Sequence, residues 1–246
     1  MDSTSVKAFR VLERLARSER PRGVTELANE LGLPKSNIHR VLTTLTGLGY
    51  AARTNDGYVA TLRTWEVGVS VLNRINVQRA AAPYLEELAI HSGETVHLAI
   101  RDGAAAVYVA ICESTRAART KTRPGERVPL HATAVGKIFL AWSPPPTGTE
   151  RYKRHTATTI VDPRLLRREL EAIRRQGYAV NRGEIRAGIA GDATPITNFN
   201  GAVVAALAIS GPKELSRPAL IEQHAGLIKG VARRISIDVV TSGLAF

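Results

Sequence analysis

Cysteine is almost absent from this 246-residue chain: Cys112 is the only one. Disulfides within the chain are therefore impossible, and metal sites built from several thiolates are excluded. Long apolar runs are missing too, since no uninterrupted stretch approaches the roughly 18 residues that a membrane span needs. The N-terminal MDSTSVKAFRVLERLARSE carries charges throughout and no apolar h-region, so it does not read as a signal peptide. A cytoplasmic protein with no membrane partner is expected. Also missing are G-x-S-x-G, H-E-x-x-H, a P-loop and a Rossmann glycine fingerprint, and no Ser or Cys stands beside a His at a suggestive spacing. A C-terminal hydrolase of small amides or esters is one alternative function, and it finds little support. A metal-sensing repressor using Cys112, Glu113 or His131 is another, and it has no spacing signal. Neither a cofactor nor a metal is expected.

Acidic residues are in short supply. Asp and Glu number 22 against 34 Lys and Arg, a formal net charge of +12. Most of the bases are Arg, which suits forked contacts to phosphates or carboxylates. The excess is spread out: residues 1–75 hold 11 bases and 7 acids, residues 76–246 hold 23 and 15. Charge alone therefore reads equally as a solvated basic surface or as a nucleic-acid footprint. With 44% apolar and 23% charged residues, the composition is that of an ordinary globular protein with a real core.

What is present is a small domain written in order. Val6, Phe9, Val11, Leu12 and Leu15 recur at helical spacing, and a second short helix runs from about Thr25 to Leu31. GLP at 32–34 turns the chain, with Pro34 suited to the first turn of a third helix. That helix is expected to bury Ile38, Val41, Leu42, Leu45 and Leu48. Asn55-Asp56-Gly57 then signals a two-stranded hairpin within 47–61. Helix, helix, tight turn, helix and ribbon make a winged helix-turn-helix.

The third helix carries Ser36, Asn37 and Arg40 on the arc opposite its core positions, flanked by His39 and Thr44. Arg forks onto guanine and Asn onto adenine, so these are candidate base-reading residues for double-stranded DNA. Thr25, Lys35 and the wing residues Arg53 and Asn55 are better placed for backbone contact. The competing reading is a solvated polar face on a protein-interaction domain.

Beyond residue 61 the pattern changes. Residues 62–75 read as a helix with Leu62, Trp65, Val69 and Leu72 on one side, a linker or dimerisation helix. A helix from Asn76 to His91, interrupted by Pro83, precedes two strands around Asp102-Gly103. HATAVGKIFLAW (131–142) reads as a helix and SPPPTG (143–148) as a loop. A helix capped by Asp162 follows, closed by Gly177, then strands at 178–180 and 201–210 and a last helix at 215–239. The Arg116, Arg119, Lys121, Arg123, Arg127 run reads as a solvated loop or subunit contact. His97 reads as a satisfied core histidine, His131 as a pocket-edge residue, and Cys112 as a buried small hydrophobe.

LHATAVGK at 130–137 offers helix-start N–H groups with only small side chains in the way, a ready site for a carboxylate. Close packing of a helix on a sheet explains the same small residues.

VTELANELGLPKSNIHRVLTTLTGLGY (24–50) resembles the helix-turn-helix of the IclR family of bacterial transcriptional regulators. The likeness continues through GETVHLAI (93–100), RPGERVPLHATAVGKIFLA (123–141), GYAVNRGE (177–184) and ALAISGP (206–212). The resemblance implies an α+β chain. It would hold a winged-helix domain at 1–60, a linker helix at 61–76 and a GAF-like α/β effector-binding domain at 77–246. It also implies homodimers, often dimers of dimers, on palindromic operators. Members of the family hold small organic acids between the helix start His131, Ala132, Thr133, Ala134, Val135, Gly136 and the segment bearing Asn181, Glu184, Gly191 and Asp192. In that segment Asn181 stands where the family commonly has an acid, and Gly191-Asp192 stand where Cys or Ser and an apolar residue are common. Arg182 and Arg186 are equally suited to pair with Glu184 or Asp192. Which metabolite is sensed, and whether it represses or activates, is left open.

Overall fold

The computed structural model describes residues 3–72, 76–116, 120–143 and 151–241. The chain divides into two compact units, residues 1–74 and 75–246. Arg119, the 144–148 part of the Pro-rich stretch, and the side chains of Val69 and Leu72 lie outside the described residues.

The first unit is built from α1 (Ser3–Ala16), α2 (Val24–Leu31), α3 (Lys35–Gly47), the wing strands β1 (Ala51–Thr54) and β2 (Gly57–Ala60), and α4 (Leu62–Leu72). Val11, Leu15, Leu27, Ile38, Val41, Leu42 and Leu45 form its core. The turn between α2 and α3 depends on Gly32, which closes α2 in the left-handed region at φ 64° and donates its N–H to the Ala28 carbonyl. Pro34 sits one residue earlier than expected, at the N-cap, with ψ 142°. Leu48 is not buried but 54% exposed. The helix ends at Gly47, so the helical spacing that would carry Leu48 inward no longer applies.

Arg22 fastens the wing. Its N–H bonds the Tyr58 carbonyl at 2.9 Å and its carbonyl accepts from Tyr58 at 3.0 Å, adding a bridge to the two-stranded ribbon. Gly57 faces that bridge, and a Cβ there would come within 2.7 Å of the Arg22 carbonyl oxygen.

The second unit is a six-stranded antiparallel sheet of order β5-β4-β3-β8-β7-β6 with helices on both faces. Its strands are β3 (Thr95–Asp102), β4 (Ala105–Cys112), β5 (Arg127–Pro129), β6 (Ala179–Arg182), β7 (Ile189–Thr197) and β8 (Val203–Pro212). α5 (Asn76–Ser92) and α8 (Pro218–Thr241) cover one face, and α6 (Ala134–Trp142) and α7 (Pro163–Gln176) cover the other. α5 runs unbroken through Pro83, which is exposed. Strands β5 and β7 fall where loops are expected from sequence. Cys112 is half-buried at the end of β4 rather than in the core, and burial raises its thiol. Among the described residues no helix is long and apolar enough to cross a membrane, and no three His, Cys, Asp or Glu gather as a metal-holding group.

Candidate functional site

Two surfaces carry chemistry, one in each unit. On α3, Lys35, Ser36, His39, Arg40 and Thr44 are exposed and Asn37 is half-buried; Thr25 on α2 and Arg53 and Asn55 on the wing are exposed as well. Two acids of this unit, Glu26 and Glu30, are engaged by other bases. Arg22 bonds Glu26 at 2.8 Å and also reaches Glu30, and Arg14 Nε bonds Glu30 at 2.5 Å. The Arg20 guanidinium bonds Glu26 and holds its carboxyl below the usual range. Among the described residues no carboxylate pairs with Lys35, Arg40 or Arg53, so their charge is free to meet phosphate. The Thr44 hydroxyl donates to the Arg40 carbonyl at 3.1 Å, which leaves it only as an acceptor toward anything docked on this face.

In the second unit the start of α6 opens onto a cavity of about 80 Å3. Thr133 is the N-cap. Its backbone is extended, its Oγ1 accepts from Gly136 N at 3.1 Å, and it donates to the Pro129 carbonyl at 2.8 Å. Ala134 and Val135 follow as the first helical residues and line the cavity; N–H groups at these positions have no partner within a helix. Asn181 and Gly191 line it from β6 and β7. Val128, Ile185, Ile189 and Ala208 form apolar wall, and Arg186 stands exposed at the edge.

The remaining residues read from sequence as effector contacts lie elsewhere. Gly136 faces the backbone of Leu130, where a Cβ would come within 2.3 Å of the carbonyl oxygen; its role is close packing. Ala132 is fully buried and does not line the cavity. His131 borders a second hollow with Arg101, Arg151, Lys153 and His155. Its Nε2 pairs with the Lys153 carbonyl at 2.8 Å, and its ring lies 4.9 Å from Tyr152 and 5.6 Å from His155.

Glu184 serves a different partner. Lys137, wholly buried on α6, donates to Glu184 Oε1 at 2.7 Å, the Val180 carbonyl at 2.6 Å and Glu169 Oε1 at 3.2 Å. Glu184 N is in turn bonded to Asn181 Oδ1 at 2.8 Å. This ammonium with three acceptors ties α6 to the β6–β7 turn that carries Ile185 and Arg186, so it shapes the cavity from behind.

Asp192 lies on the opposite face of the sheet. Strand alternation sends Ile189 and Gly191 to the cavity and Asp192 toward α8. There its Oδ2 is 3.7 Å from His224 Nδ1, both side chains are buried, and burial pushes the carboxyl up from its ordinary value.

The cavity also contains residues that sequence reasoning did not assign to it: His97, Tyr108, Thr120, Thr122, Glu126 and Ser210. His97 is buried, as a core histidine should be, with Nε2 2.7 Å from Ser210 Oγ and its ring 4.7 Å from Tyr108. Burial pulls it down to about 4, so it is neutral at physiological pH.

A family model described as "Bacterial transcriptional regulator IclR C-terminal" matches residues 69–237, and one described as "IclR helix-turn-helix domain" matches residues 5–55. The chain belongs to the IclR family of bacterial transcriptional regulators. Its similarity to the HTH-type transcriptional regulator KdgR of Escherichia coli is 33% identity, covering 96% of this chain and 92% of that one. The crystal structure of Thermotoga maritima IclR superposes with a TM-score of 0.83 at 33% identity, covering 97% and 99% of the two chains. An IclR homolog from Microbacterium hydrocarbonoxydans, solved with 4-hydroxybenzoate, gives 0.83 at 26% identity over 96% and 99%.

As an IclR-type protein the chain is a DNA-binding transcriptional regulator with a C-terminal effector domain, not an enzyme, so the hydrolase alternative falls. IclR regulators bind DNA and small-molecule effectors, which matches the two surfaces found here. The cavity of this IclR chain is assembled from β3, β4, β5, β6, β7, β8, the loops beside them and the start of α6.

Proposed function

We propose that this regulator binds a palindromic double-stranded DNA operator through Ser36, Asn37 and Arg40, steadied by Thr25, Lys35, His39, Thr44, Arg53 and Asn55. A small organic carboxylate held at the start of α6 controls that binding. The observation that carries the DNA half is the set of exposed bases Lys35, Arg40 and Arg53 on α3 and the wing, while Glu26 and Glu30 are already paired with Arg14, Arg20 and Arg22. The effector half is supported by a partly apolar cavity at a helix N-terminus with Arg186 at its edge, a fit for one carboxylate and an organic body.

Residues 1–60 would form the DNA-binding domain, 61–76 a linker and dimerisation helix and 77–246 the effector domain, in a cytoplasmic homodimer that pairs into a dimer of dimers. Leu62, Trp65 and Val67 on α4 are 75%, 64% and 51% exposed, apolar surface that a second copy would cover. Effector binding then acts by favouring one of two dimer states that differ in affinity for the operator.

Operator titration tests the reading. Arg40→Ala should weaken specific binding by about 1–3 kcal/mol and relax preference at one base position, while Lys35→Ala weakens all sequences alike. Unchanged specific affinity in Arg40→Ala removes α3 as the reading helix.

A further inference from the structure

We infer that the cavity reads a hydroxyl group as well as a carboxylate, so that the effector is a hydroxylated monocarboxylic acid. The inference rests on the carboxylate reading above and adds the chemistry of the other polar groups in the lining.

Those groups lie away from the α6 start in sequence. Thr120 is 6% exposed, and its Oγ1 is buried with no hydrogen-bond partner among the described residues. An unpaired buried hydroxyl is unfavourable, and a ligand that both donates to it and accepts from it removes the penalty. Beside it in the lining is a relay: Thr122 Oγ1 lies 3.4 Å from His97 Nδ1, and His97 Nε2 lies 2.7 Å from Ser210 Oγ. The imidazole is neutral, so the relay supplies hydrogen bonds without charge.

Charge decides between ligand classes. Among the described residues, Arg186 is the only basic side chain of the lining other than neutral His97, and Glu126 contributes an acid. One carboxylate is matched by Arg186 and the α6 start. A second carboxylate would meet Glu126 and, among the described residues, no further cation. A neutral hydroxyl suits Thr120 and the His97–Ser210 pair. Val128, Val135, Ile185 and Ile189 take the carbon skeleton between.

A site built to bond a hydroxyl discriminates strongly against analogues that lack it. The experiment is calorimetric titration of the full-length protein with three matched pairs and one diacid. The pairs are 3-hydroxybutyrate and butyrate, 6-hydroxyhexanoate and hexanoate, and 4-hydroxyphenylacetate and phenylacetate; the diacid is adipate. At least one hydroxy acid should bind about tenfold or more tightly than its deoxy partner, and adipate more weakly than that hydroxy acid. Thr120→Val should lower that ratio severalfold, and Thr120→Ser should retain it. Because the wild-type hydroxyl is unpaired, free Thr120→Val should melt no lower than wild type, a result opposite to that of a structural threonine. Equal binding within every pair, tighter adipate, or an undiminished ratio in Thr120→Val overturns the hydroxyl inference alone. If none of the seven acids binds, the carboxylate reading fails and takes this inference with it.

Discussion

Replacing Lys137 by Met asks how far one ammonium holds the effector unit together. The side chain of Lys137 is wholly buried, and that of its main counter-ion Glu184 is only 4% exposed. Glu169 is 26% exposed, so its 3.2 Å contact is weaker and solvent-screened. Removing one partner of such a buried pair leaves an uncompensated charge and costs about 3–5 kcal/mol. At about 2–4 °C per kcal/mol for a unit of this size, the melting temperature should fall by roughly 6–20 °C. Lys137→Met also leaves the Val180 carbonyl without its donor, which favours the upper part of that range. The double variant Lys137→Met/Glu184→Gln removes the orphaned carboxylate. It should recover most of the loss, because exchanging a whole buried pair for neutral groups is often close to neutral. Thermal melts and urea titrations of wild type, both single variants and the double variant complete the cycle. A Lys137→Met protein that melts with wild type, or a double variant whose loss equals the sum of the singles, would refute the clamp.

The other predictions concern neighbouring features. Asp192 has its carboxyl raised from 3.8 mainly by burial, with His224 and Arg182 opposing. A raised carboxyl stabilises the fold below 3.8 and loses that contribution as pH climbs through the folded value. Asn does not titrate, so the melting temperature of Asp192→Asn should gain on wild type between about pH 4 and pH 8; a flat difference would show that His224 fully compensates the charge. Gly136→Ala puts a Cβ 2.3 Å from the Leu130 carbonyl oxygen and should cost about 1–3 kcal/mol or more by overpacking, measured by chemical denaturation. Wild-type stability in that variant would mean the α6 start sits farther from residue 130 than described.

The two halves of the molecule differ in how much of them is legible in sequence, and the difference follows contact distance along the chain. The winged unit is local. Its core spacing, the Gly32 turn and the Asn55-Asp56-Gly57 hairpin are each decided within a few residues, and the differences, Pro34 at the N-cap and Leu48 past the helix end, are shifts of one position at the ends of α3. The effector unit depends on strands whose partners are remote. β7, IAGDATPIT, does not look like a strand because Gly, Asp and Pro are poor strand formers. It forms because β8 pairs along its length. Pro195 is tolerated because β6 reaches only to Ala193, so beyond that point one side of β7 is a sheet edge. Taken as one segment, 181–192 places Asp192 and Gly191 on the same binding surface. Reading 189–197 as a strand separates them by parity and sends the acid to α8.

The same distance hides the hydroxyl relay. His97 and Ser210 are 113 residues apart in the chain, and they meet because β3 lies beside β8 in the sheet. An apolar strand containing one His has no local signal that a cavity is on its other side. The marked motif at 130–137 bears on the proposed carboxylate end of the cavity alone. On the proposed reading, what distinguishes one acid from another comes from strands and from the segment before β5 that the motif does not reach, and Thr120 in that segment is where the division can be measured.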